Sequence, residues 1–259
     1  MVFQLMFAIV TAAVISGSIA ERMKFKHWVI FLLLWTTLVY DPIAHWMWGT
    51  GGWLKNIGVL DFAGGNVVEI SSGVSGLIVA LMLGKRKSVG KPNNLPLTCL
   101  GAGLLWFGWY GFNAGSALAV NGVALNVFIT TNTSAAVSVV SWSVCEFTYR
   151  KKVTSLGVVS GIVEGLVAIT PAAGFVSPLA SMIVGLVAGD ICYISITFIK
   201  AKFGYDDALD VFGCHGVGGI WGGNRYWNIC MEVSKFSWWK WINTWKSEID
   251  WNSGYAFIK

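Results

Sequence analysis

Seven long apolar runs, separated by short polar clusters, set the rhythm of this chain. They cover about residues 1–20, 27–48, 65–84, 98–118, 122–146, 154–171 and 176–199. An eighth begins near Asp210 and loses its apolar character after Gly223. A bilayer core about 30 Å thick takes roughly 20 residues of helix, so each of the seven meets or approaches the length of a crossing. In lipid every backbone N–H and C=O has to be paired within its own segment, which makes these spans helices. The alternation of a membrane-barrel strand is absent. The pattern predicts an all-α, polytopic transmembrane helical bundle. Small residues at helix-packing spacing (Gly111–Gly115, Gly157–Gly161–Gly165 and Gly185–Gly189) predict close helix contacts within it.

Composition agrees with that pattern. Of the 259 residues 55% are hydrophobic and 12% charged, with a mean hydropathy of +0.64. A soluble domain carries about a quarter of its residues charged. The net charge of +5 could point to nucleic acid, but the basic residues sit in separate loops and form no continuous face, so no nucleic-acid partner is expected. Their placement orients the spans instead. Arg22, Lys24 and Lys26 follow the first span; Lys85, Arg86, Lys87 and Lys91 the third; Arg150, Lys151 and Lys152 the fifth; Lys200 and Lys202 the seventh. The intervening loops hold only Lys55, a ratio of twelve to one. By the positive-inside rule the loops at 21–26, 85–97, 149–153 and 200–207 face the cytoplasm. Met1 then starts inside a helix at the outer face, which suggests spans upstream. The five cysteines form no CxxC pair and read as small apolar residues, and no basic leader marks a signal peptide.

Ionisable groups inside a span are costly, so they are the first candidates for chemistry. Glu69 in DFAGGNVVEISSG, Glu164 in GIVEGLVAITP and His215 in DVFGCHGVGG stand out. Each could equally be a buried side chain satisfied by a neighbouring helix. Asp61 lies eight residues before Glu69, where an N-cap for free backbone N–H groups is the expected role. Asp210 is expected to cap the eighth segment in the same way. No nucleophile, metal cluster or phosphate loop accompanies these groups, so no cofactor and no enzymatic activity are expected.

Six segments together resemble the ammonium transporter (Amt/Mep/Rh) family: MFAIVTAAVISGSIAER, VYDPIAHWMWG, DFAGGNVVEISSGVSGL, WYGFNAGSA, GLVAITPAAGFV and DVFGCHGVGGIWGG. They follow the family's order at similar spacings over roughly residues 1–223. The resemblance implies a fold of eleven spans in two inverted halves, assembled as a homotrimer with one pore per subunit. Residues 1–223 would then correspond to the third span through the start of the tenth. It further implies ammonium or ammonia as substrate, with methylammonium as its analogue. Phe7, Trp48 and Ser116 match the outer recruitment site, where aromatic faces attract a small cation and a hydroxyl accepts its hydrogen bond. Phe7 and Phe112 match the apolar gate below it. Gln4 and Trp109 are weaker neighbours. His215 matches one of the family's two pore-centre histidines, and Glu69 stands where the other usually is. A carboxyl facing an imidazole changes the titration of both.

After Gly223 the chain continues NRYWNICMEVSKFSWWKWINTWKSEIDWNSGYAFIK, with six tryptophans and no span-length apolar run. An interfacial amphipathic segment is one reading of residues 224–259. A shifted reading frame is the reading preferred here, because TGG codons read one base later turn tryptophan into glycine. Residues 1–223 would form the transporter-like domain. A truncated, inactive remnant and an ammonium sensor are the alternative functions, and a membrane-embedded enzyme is a distant third.

Overall fold

The computed structural model describes residues 1–90 and 92–223, and among these all regular secondary structure is helical, with no strand. The tail after Gly223, for which the shifted frame is inferred, lies outside the described residues. The first helices are α1 (Val2–Ile19), α2 (Phe25–Trp35), α3 (Asp41–Trp48), the short α4 (Trp53–Asn56) and α5 (Ser71–Leu83). They are followed by α6 (Leu95–Gly115), α7 (Gly122–Arg150), α8 (Ser155–Ile169), α9 (Pro178–Ile194), the short α10 (Lys200–Phe203) and α11 (Val217–Gly222). Wider π-helical turns at Thr36–Tyr40, Gly65–Ile70, Ser195–Ile199 and Phe212–Gly216 run directly into neighbouring helices. Such turns are rare and recur at functional sites.

Six stretches are long and apolar enough to cross a bilayer: Val2–Ile19, Phe25–Asn56, Gly65–Leu83, Leu95–Gly115, Gly122–Arg150 and Pro178–Phe203. The crossing expected at 154–171 is shorter. Its helix α8 has 15 residues, about 22 Å at 1.5 Å per residue. It ends at Ile169 just ahead of Pro171, which has no N–H to continue the helical ladder, and the carbonyl of Pro171 accepts the N–H of Phe62 at 2.9 Å.

Local signals fix where the helices begin. Asn94, Asn121, Thr154 and Ser177 each accept a hydrogen bond from the backbone N–H three residues on, at Leu97, Ala124, Gly157 and Ala180. Each such cap contributes on the order of 1 kcal/mol. Proline in the first turn of α6 and α9 costs nothing there, since that N–H has no helical partner.

Small residues bring both α8 and α9 close to the backbone of α7. A side chain at Gly165 would begin 2.6 Å from the Cα of Ala135, and one at Gly185 would begin 2.2 Å from the carbonyl of Ser134. Ser134 Oγ donates to the carbonyl of Gly165 at 2.8 Å across the same seam. The Gly111–Gly115 spacing does not act this way. Gly111 faces open space, and Gly115 meets only the ring of Phe3. That expectation fails because α6 turns this face away from its neighbours' backbones.

Candidate functional site

The site is built on two of the π-helical turns. In the first, Gly64 takes a φ of +105°, a left-handed conformation that favours glycine. Its carbonyl then accepts from both Val68 N at 2.6 Å and Glu69 N at 3.1 Å. The free N–H groups at the start of the turn converge on Asp61. Oδ1 accepts from Gly64 and Gly65 at 2.7 Å each, and Oδ2 from Asn66 at 2.7 Å and Val67 at 3.0 Å. One carboxylate thus satisfies four donors that lipid could not. The carbonyl of Asp61 in turn accepts from Trp48 Nε1 at 3.1 Å.

The second turn, Phe212–Gly216, crosses the first segment at glycine. A Cβ on Gly73 would lie 2.2 Å from the N of Gly216, and one on Gly219 would lie 3.0 Å from the Cβ of Glu69. Only hydrogen atoms at these positions allow such an approach. As a result Glu69 and His215 meet, with His215 Nδ1 2.6 Å from Glu69 Oε2. The side chain of Glu69 is 1% exposed and that of His215 14%. Glu69 Oε1 has no hydrogen-bond partner among the described residues. At 2.6 Å the two groups are within hydrogen-bond distance.

Val68, next to Glu69, packs in one apolar cluster with Phe7, and Trp48 and Phe112 pack against that cluster. Phe7 stacks on Phe112 with ring centroids 4.3 Å apart and meets Trp48 edge-on at 5.6 Å. Phe7 is 1% exposed. Ser116 Oγ donates to the carbonyl of Phe112 at 2.9 Å, which leaves its lone pairs free to accept. Trp109 lies against Phe112 with centroids 5.2 Å apart and is held by Thr170 Oγ1 at 2.8 Å. Gln4 is exposed.

Two residues behave differently from expectation. Asp210 does not cap the second turn with its side chain: it takes a φ of +58° and its carboxylate binds Lys200 Nζ at 2.5 Å. Asp207 supplies the cap, accepting the N–H of Phe212 at 2.8 Å and the hydroxyl of Ser18 at 2.8 Å. Glu164 on α8 is fully buried, and neither carboxyl oxygen has a hydrogen-bond partner among the described residues. It takes no part in the Glu69–His215 hydrogen bond. Sequence reasoning also passed over Asn113, buried in the WYGFNAGSA segment, whose amide donates to Thr131 Oγ1 at 3.0 Å. A polar side chain in the last turn of an apolar span was the available signal.

Among the described residues, six helices long and apolar enough to cross a membrane accompany a buried carboxyl–imidazole pair and a stack of aromatic rings, the features of a multi-helix membrane protein with a polar centre. The sequence profile described as Ammonium Transporter Family matches residues 1–236, and the chain belongs to that family. An ammonium transporter of Bacillus subtilis is 57% identical over 225 residues, covering 86% of this chain and 55% of the relative. The crystal structure of Saccharomyces cerevisiae Mep2 aligns with a TM-score of 0.80 at 42% identity, over 85% of this chain and 51% of that one. A solved sensor Amt protein aligns with a TM-score of 0.81 at 34% identity, over 85% of this chain and 58% of that one. The chain spans about half the length of the curated relatives it matches.

Proposed function

We propose that the protein moves ammonium or ammonia across the cell membrane through a narrow apolar conduit with Glu69 and His215 at its centre. The supporting observation is the 2.6 Å contact of these two groups in a core closed by the Phe7–Phe112 stack. Trp48 and Phe7 offer aromatic faces to a small cation, an attraction that acts within about 6 Å of a ring. Ser116 offers an acceptor beside them. Rings 4.3 Å apart leave no room for a hydrated ion, so the gate of Phe7 and Phe112 favours the smaller neutral species. Glu69 and His215 then serve as the polar station beyond the gate. Asp61 and Asp207 hold the two turns in register, Trp109 supports Phe112, and Gln4 and Glu164 have no assigned contact with the solute.

The same reading takes a homotrimer as the working assembly and places the loops at 21–26, 85–97, 149–153 and 200–207 in the cytoplasm. Residues 1–223 act as the transporter-like domain. Expression in cells that lack their own ammonium transporters tests the proposal. Uptake of labelled methylammonium above the empty-vector rate, lost in a His215→Ala variant that still reaches the membrane, is the expected result. Membrane-inserted protein without any uptake contradicts it. A sensing role is the second reading, favoured by the likeness to the sensor Amt protein. It predicts saturable methylammonium binding with no uptake.

A further inference from the structure

Away from the conduit, the segment after α5, the end of α7 and residues between Ile196 and Asp210 surround a pocket of about 520 Å³, within the usual range for small-ligand sites. Four cations (Lys85, Arg86, Arg150 and Lys200) and two carboxylates (Asp206 and Asp210) line it. Both carboxylates are already taken. Arg86 holds Asp206 at 2.9 Å and also reaches Glu21 at 3.2 Å, while Lys200 holds Asp210 at 2.5 Å.

The other two cations are held less tightly. Arg150 has Glu146 at 3.9 Å, but that carboxylate already accepts from the N–H of Thr154 at 3.0 Å and its hydroxyl at 2.9 Å. Lys85 forms no ion pair or side-chain hydrogen bond among the described residues; its Nζ passes over Gly204, where a Cβ would lie 3.5 Å away. The lining therefore holds four cations to two carboxylates, with Glu21 and Glu146 outside it against Arg86 and Arg150, so Lys85 is its one cation without a carboxylate partner among the described residues and Arg150 its most weakly paired; they sit at the ends of apolar helices whose low-dielectric walls concentrate the field. Tyr205 adds a phenol to the lining. Burial, with Asp207 and Asp210 nearby, pushes it up to about 12, so it remains a hydrogen-bond donor at neutral pH.

We propose that this pocket binds a phosphate-bearing anion through Lys85 and Arg150, with the Tyr205 hydroxyl as a further donor. The guanidinium fork of Arg150 matches two phosphate oxygens, and Lys85 supplies a point charge. Two sources share this chemistry: the headgroup of an anionic phospholipid and a soluble phosphate. The site is independent of whether the chain transports ammonium.

Purified protein in phosphatidylcholine nanodiscs separates the two sources. Equilibrium dialysis with labelled inorganic phosphate reads the soluble form, and native mass spectrometry with short-chain phosphatidylglycerol reads the lipid. Saturable binding of at least one probe, one per chain, is expected. It should weaken at least tenfold in a Lys85→Gln/Arg150→Gln double variant and several-fold in each single variant. Lys55→Gln, which removes a basic residue outside the pocket, should bind as the parent does. The double variant leaves the Arg86–Asp206 and Lys200–Asp210 pairs in place, and an unchanged melting midpoint without anion checks its fold. Phosphatidylglycerol bound without phosphate assigns a lipid site, and the reverse assigns a soluble ligand. Saturable binding of neither probe, or equal binding by parent and double variant, overturns the proposal.

Discussion

The two turns that present Glu69 and His215 have the same wide backbone but are held in opposite ways. The turn at Gly65–Ile70 is secured from within its own segment. Asp61 takes four N–H groups no more than six residues away, and Gly64 supplies the positive φ. The turn at Phe212–Gly216 has a single side-chain cap, from Asp207, and that carboxylate is itself fixed by Ser18 on α1, 189 positions away in sequence. Lys200 binds both the carbonyl of Asp207 and the carboxylate of Asp210. One turn is therefore set by local chemistry, and the other is set only once the bundle has assembled.

The largest effect that could break this comparison comes from Asp61→Asn. One face of the carboxylate becomes an NH2 group pointed at two backbone donors, leaving both buried and unpaired. At roughly 1–3 kcal/mol for each lost partner, the variant should lose about 2–6 kcal/mol and melt well below the parent in mild detergent, with uptake abolished. A near-parental melting midpoint would mean that Asp61 does not hold the turn.

Asp207→Asn should cost less. The amide oxygen can still accept from Ser18, and only the N–H of Phe212 is orphaned, a loss of about 1–3 kcal/mol. Differential scanning of the two variants side by side gives the ordering directly. If Asp207→Asn melts at or below Asp61→Asn, the contrast between local and assembled turns is wrong.

The smallest effect concerns the polar rim. Hydrogen bonds from Arg86 are the main cause that holds Asp206 at about 2, against an ordinary value of 3.8. A carboxyl depressed in the folded state adds stability above its unfolded value, and that stability fades as pH falls from about 4 towards 2. The parent should show this acid loss in its melting midpoint, while Asp206→Asn should melt somewhat below the parent near neutral pH, lack that acid component, and approach the parent towards pH 2. Parallel acid limbs would remove Asp206 from the account.

The same contrast explains what was legible in the sequence. The crossings follow from apolar run length, and the helix starts at Asn94, Asn121, Thr154 and Ser177 follow from capping chemistry a few residues long. DFAGGN states its own geometry, with an acceptor, a flexible glycine and a turn in six residues. Asp207 was passed over in favour of Asp210 because both precede the turn, and only the packing of Ser18 and the reach of Lys200 decide between them. Spacing alone could not bring Glu69 and His215 together across 146 positions. Resemblance to a family suggested that meeting, and the glycines at 73, 216 and 219 give it a physical cause. The short α8 was overestimated because Ala172 and Ala173 continue the apolar run past Pro171, where the backbone has already turned.

The account depends most on Glu69 and His215 meeting inside the conduit. Methylammonium uptake across a pH series, parent against Glu69→His, tests this directly. Replacing the carboxyl by a second imidazole changes the charge facing His215 at the centre of the conduit, so the uptake profile should differ from the parent's. Superimposable profiles at equal membrane abundance would contradict the claim that this pair governs passage.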